Sequence, residues 1–139
     1  MAEKVEFELV SPERLLVSEP VEMVVVPGTE GDFGALPHHA PMITTVRPGV
    51  IDIYQDGKVT DRIFVAGGFA EVTETRVTVL AEEATKVAEL DPAEVNSRLK
   101  AAEQSVEEAD GDAARNEARR GLLVAQAMRV ALDAALPLH

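Results

Sequence analysis

The character of this chain changes near residue 90, and that change restricts its fold more than any other feature. All five aromatic residues, Phe7, Phe33, Tyr54, Phe64 and Phe69, precede residue 70, along with seven of the nine glycines and six of the eight prolines. Alanine is distributed the opposite way, with 5 copies in residues 1–80 and 15 in residues 81–139. Flat and branched side chains pack well on a pleated surface and Gly and Pro make tight turns, whereas alanine loses no side-chain entropy in a helix. The expected class is α+β: an N-terminal antiparallel β-sandwich over residues 1–87, then a C-terminal antiparallel two-helix hairpin over residues 88–139.

In the first part the apolar residues alternate. Val5, Phe7 and Leu9 point one way and Glu6 and Glu8 the other, and Val77 and Val79 alternate with Arg76 and Thr78 in the same manner. A strand with one buried face requires this period of two. Asp56-Gly57 separates two such runs, and both residues tolerate the positive φ of a type I′ hairpin turn. Further turn signals fall at Ser11-Pro12, Pro27-Gly28, Pro48-Gly49, Gly67-Gly68 and Glu74-Thr75. Many short strands at that spacing predict a sandwich or barrel. Val24-Val25-Val26 reads as a strand covered on both faces, and Gly67-Gly68 as a tight turn or a close approach of two backbones.

The second part opens on Leu90-Asp91-Pro92-Ala93-Glu94. Asp91 suits the N-cap, Pro92 the first helical position, and Glu94 the far corner of a capping box. Val95, Leu99, Ala102, Val106 and Ala109 then recur at steps of four and three. Asp110-Gly111-Asp112 interrupts, and Ala114, Ala118, Gly121, Ala125, Met128, Leu132 and Ala135 resume the rhythm. Two such seams joined by a short break predict an antiparallel helical pair. Residues 91–110 are net acidic and residues 113–136 net basic, so charge favours their pairing. A seam lined by Ala and Gly buries little area at ~0.8 kcal/mol per methylene, and the hairpin is expected to leave its resting place readily.

Composition narrows the function. The formal charge of −12 disfavours nucleic acid and anionic lipid, and with no cysteine there is neither a disulfide nor a thiolate ligand. No apolar run approaches the roughly 20 residues of a membrane span, and the first residues lack a signal-peptide core, so a soluble intracellular protein without lipid insertion is expected. His38 and His39 adjoin each other, but neighbours on an extended chain diverge, and the third histidine is His139. Turn-forming histidines are expected there, with no metal or cofactor. Asp110-Gly111-Asp112 lacks the later ligands of a calcium loop, and the serines occupy no nucleophile elbow. No catalytic constellation emerges. The run Gly28-Thr29-Glu30-Gly31-Asp32-Phe33-Gly34 sets an aromatic among glycines and acids, where Phe33 is either presented to a partner or tucked into the sandwich.

Residues 25–41, Val-Val-Pro-Gly-Thr-Glu-Gly-Asp-Phe-Gly-Ala-Leu-Pro-His-His-Ala-Pro, resemble the ε subunit of bacterial F-type ATP synthase. The segments at residues 47–51, 65–72 and 77–81 carry the same resemblance, which extends over the whole chain and is weakest in the helical part. It implies a non-catalytic rotor subunit that couples γ to the c ring at the cytoplasmic face of the bacterial inner membrane. By that resemblance Glu30, Gly31, Asp32 and Phe33 meet the polar loops of the c ring, and His39, Ala40, Pro41 and Met42 meet γ. The basic side chains Arg115, Arg119 and Arg120 could face an acidic segment of the β subunit if the hairpin extends toward the α/β ring and inhibits hydrolysis. The family's ATP-binding pattern at the first helix, Ile/Leu-Asp-x-x-Arg-Ala, is met by Leu90 and Asp91, but its Arg falls on Glu94 and its Ala on Val95. An anion in place of a phosphate-facing cation reverses that contact, so ATP is not expected to bind. Two other classes fit the composition: a ligand-binding jelly-roll module that dimerises through its helices, and a cupin-like metal enzyme using His38 or His39.

Overall fold

A computed structural model describes residues 3–135; His139 lies outside the described residues. The elements are β1 (Val5–Val10), β2 (Leu15–Val21), β3 (Met23–Gly28), β4 (Gly31–Ala35), β5 (Met42–Val46), β6 (Gly49–Gln55), β7 (Lys58–Val65), β8 (Gly68–Val72), β9 (Arg76–Ala81) and β10 (Ala84–Lys86). A 3-10 turn at Val87–Glu89 precedes α1 (Pro92–Glu108) and α2 (Asp112–Ala135). The chain divides into two compact units between Lys86 and Val87.

The ten strands form one hydrogen-bonded path, β10-β7-β6-β3-β5-β8-β9-β1-β2, with β4 on the free side of β3. β3 reaches β5 only through the pair Gly28 and Val46. That single joint divides the path into two halves of five strands, whose inward residues make one core. Val5, Phe7, Leu9, Val77 and Val79 come from one half and Val24, Val26, Ile51, Ile53 and Ile63 from the other, all buried. The alternation expected for β1 and β9 is observed, with the glutamates of β1 turned away from the core. One ladder departs from the antiparallel expectation, since β1 and β9 run parallel. No tight turn joins these two distant strands, so no turn sets their mutual direction.

Asp56 and Gly57 have φ of 54° and 74°, as the type I′ hairpin between β6 and β7 demands. Two local expectations are corrected. Pro27-Gly28 is the end of β3 rather than a turn; the reversal falls on Thr29 and Glu30, between the paired Gly28 and Gly31. Val25 is half-buried while Val24 and Val26 are fully buried, so β3 alternates instead of being covered on both faces. Gly68 marks a close approach: its φ is +141°, and a Cβ there would lie 2.0 Å from the Leu80 carbonyl oxygen.

In the helical unit Asp91 is the N-cap, its carboxylate accepting from the Ala93 amide at 3.0 Å, and Pro92 takes the first position. Gly111, with φ of 90°, ends the break before α2. Val95 of α1 and Ala125, Met128, Ala131 and Leu132 of α2 are buried. The expected seam does not close along its whole length. Ala114 and Gly121 are exposed, Ala102, Ala109 and Ala118 are only half-buried, and these residues line a shallow open groove of about 490 Å³ with Ser105. Arg115 and Arg120 pair along α2, with Asp112 at 3.7 Å and Glu117 at 3.1 Å, rather than across the hairpin.

Candidate functional site

The glycine-rich run around Phe33 is a hairpin, with Glu30 at its tip and β4 as its return strand. Glu30, Gly31 and Asp32 are exposed. Asp32 is ion-paired with Arg47, whose guanidinium also donates to the Gly28 carbonyl, so that one arginine fastens the hairpin to the segment after β5. Thr29 and Thr45 join their hydroxyls at 2.7 Å beside it. Behind Asp32 lies Asp52 on β6, 3.5 Å from Arg62. The Asp52 carboxyl titrates above its ordinary 3.8 because burial penalises the anion, with the Arg62 charge opposing and the Asp32 charge adding to the rise.

Phe33 is tucked in. It is half-buried, packs on the core, and its ring lies 3.2 Å from where a Cβ on Gly28 would sit. Its other neighbour is His39, with ring centroids 6.4 Å apart, so the two sequence-assigned contact segments adjoin at this point. His38 occupies the third position of the Leu36-Pro37-His38-His39 turn with φ of 70°, consistent with a type II turn. Its amide donates to the Glu74 carbonyl at 2.7 Å and its Nε2 meets Glu3 at the same distance. His39 donates from Nδ1 to the Ala40 carbonyl. Among the described residues no three His, Asp or Glu side chains converge as a metal site would need. Ala40 and Pro41 are exposed and Met42 half-buried, where the chain enters β5.

The remaining assigned residues lie in the helical unit. Leu90 is half-buried, and Asp91 spends its carboxylate on the helix cap. On α2, Arg115 and Arg120 are paired locally while Arg119 is exposed.

Sequence reasoning missed the outer face of β5, β8 and β9. Ile43, Phe69 and Leu80 are 73%, 57% and 53% exposed. They line a shallow groove of about 220 Å³ together with Glu71 and Thr78. The cross-strand pairs Phe69 with Leu80 and Ile43 with Glu71 keep these side chains on one surface. The groove continues past Phe69 to Val10, Pro12 and Glu82. A signal existed: Phe69 and Leu80 fall out of phase with buried Ala70 and Val79, where alternation calls for polar residues. Such an apolar plate with acidic neighbours is the surface of a protein that works by docking.

Known proteins give that docking protein its family. The model of the ATP synthase delta/epsilon chain beta-sandwich domain matches residues 4–87. The ATP synthase epsilon chain of Rhodospirillum rubrum is 62% identical over 131 residues, covering 94% of this chain and 98% of its own. That of Paramagnetospirillum magneticum is 61% identical over 132 residues, covering 95% and 99%. The fold recurs in a chain of the Euglena gracilis mitochondrial ATP synthase, solved as OSCP, F1 and c ring, with a TM-score of 0.80 at 24% identity over 95% of this chain and 83% of that one. It recurs again in the Tetrahymena thermophila mitochondrial central stalk and c ring, with a TM-score of 0.71 at 12% identity over 94% and 98%. The chain belongs to the ATP synthase epsilon chain family.

Proposed function

We propose that this chain is a non-catalytic central-stalk subunit of a proton-translocating ATP synthase, coupling the γ subunit to the c ring. The observation that carries the reading is the 62% identity to an ATP synthase epsilon chain over nearly the full length of both proteins. Catalysis belongs to other chains of the complex. The subunit is peripheral, and among the described residues no helix is long and apolar enough to cross a membrane. Its place is the cytoplasmic face of the bacterial plasma membrane.

The sandwich of residues 1–87 is the gripping half, and residues 88–139 are a mobile regulatory half. Glu30, Gly31 and Asp32 form the c-ring contact, with half-buried Phe33 supporting it from the core side and exposed Glu30 leading it, since Asp32 is already committed to Arg47. His39, Ala40, Pro41 and Met42 form the γ contact, which extends from Met42 onto the plate of Ile43, Phe69 and Leu80. Acidic Glu71 and Glu82 beside that plate suit a partner whose apolar centre has a basic rim. Arg115, Arg119 and Arg120 are the contact offered to the β subunit when the hairpin extends.

The variant Glu30→Arg tests the c-ring assignment. It lies on an exposed tip, so the isolated chain should melt within about 2 °C of the parent, because surface changes cost under about 0.5 kcal/mol. Association with a γ and c-ring assembly should slow by roughly tenfold at low salt. Unchanged association kinetics would show that the tip does not face the ring.

ATP finds no cation at the first helical turn, and the Asp91 carboxylate is occupied by its own cap. Calorimetric titration of the full chain with Mg-ATP should therefore give no saturable heat. A micromolar dissociation constant would sink the nucleotide-blind reading.

A further inference from the structure

We propose that α2 carries an internal hinge at Gly121, so that its first half, residues 112–120, opens independently of residues 122–135. The inference concerns the helical unit alone and does not depend on the stalk reading.

Gly121 sits midway along a 24-residue helix. A glycine inside a helix is often explained by a neighbour too close for a side chain. Here a Cβ would meet nothing within 4 Å. The glycine therefore weakens the helix by about fivefold in its forming equilibrium against alanine, ~1 kcal/mol, with no packing in return.

The two sides of Gly121 differ in what holds them. After it, Ala125, Met128, Ala131 and Leu132 are buried, whereas α2 as a whole lies against α1 and the 3-10 turn at Val87–Glu89. Arg129 in this half donates to Asn96 of α1 and pairs with Asp133 at 3.2 Å. Before Gly121 only Ala118 is even half-buried. There the small residues of the seam, Ala102, Ala109 and Ala118, are only half-buried and line a shallow open groove with Ser105, Ala114 and Gly121. The ion pairs of the first half, Arg115 with Asp112 and Arg120 with Glu117, lie wholly within it, and neither crosses the glycine. Local opening free energy follows buried contact, so the first half should open at far lower cost than the second. Gly121 then lets the break occur at one place.

Amide hydrogen exchange on the full chain, read residue by residue, tests this. The amides of residues 115–120 should exchange at least tenfold faster than those of residues 125–132, with a step at Gly121. Gly121→Ala should slow the first half about fivefold and leave the second half unchanged. Simple fraying from the helix start would give a smooth gradient without a step at 121, and that profile overturns the hinge. Equal rates along α2, or a Gly121→Ala effect shared by both halves, would mean one cooperative helix and overturn it as well.

Discussion

Gly68→Val is expected to lower the melting temperature of the sandwich by about 10–45 °C, more than any other replacement proposed for this chain. The new Cβ would meet backbone: the Leu80 carbonyl oxygen at 2.0 Å and the Ala81 Cα at 3.0 Å. Neither atom can turn aside, because β8 and β9 are tied by their ladder from Gly68 through Val72. The φ of +141° adds strain for any L side chain. Held positive φ costs on the order of 1–3 kcal/mol and overpacking about the same, so roughly 2–6 kcal/mol is lost. In a domain of this size each kcal/mol moves the midpoint by about 4–8 °C. Thermal denaturation followed by far-ultraviolet circular dichroism reads the effect, and Gly68→Ala should show a smaller version. A melting curve for Gly68→Ala that superimposes on the parent would mean the two strands are not so close.

The adjoining residue predicts the opposite pattern. Phe69→Asp removes the most prominent ring of the plate while its neighbour Ala70 keeps the core side of β8 intact. Phe69 is already more than half exposed, so folding loses little and the midpoint should stay within a few degrees. Binding to the γ subunit should weaken by at least about 30-fold, the ~2 kcal/mol expected for a central aromatic anchor faced with a desolvated charge. Ile43→Asp, on the same surface, should act likewise. Surface plasmon resonance with immobilised γ would measure both. Parental affinity in both variants would remove the plate from the γ contact.

The plate, the Glu30 hairpin tip and Gly121 call on different kinds of sequence information. Gly121 was visible in the sequence, but as one of a four-three series of small residues that promised close-packed backbones. The structure leaves that stretch half-buried beside an open groove, because four-three spacing specifies which face is apolar and not how fully its partner covers it. The plate was visible only as an anomaly, two apolar residues at polar phases of β8 and β9. Whether such residues meet on one surface depends on strand register, and that is set by the whole sheet. The ion pair of Asp32 left no sign in the sequence, because its partner Arg47 is fifteen positions away and only the joint between β3 and β5 brings them together.

Local chemistry was decided along the chain itself. The split into strand-forming and helix-forming parts, the alternation of β1 and β9, the Asp56-Gly57 hairpin and the Asp91 cap each depend on residues within a few positions, where covalent geometry dictates the outcome. Three-dimensional closure decided the rest: the parallel run of β1 beside β9, the tucked Phe33, the Asp32 and Arg47 pair, and the exposed plate. These arise from contacts between distant segments, whose partners are chosen by burying one shared core and leave no periodic trace in the order of residues.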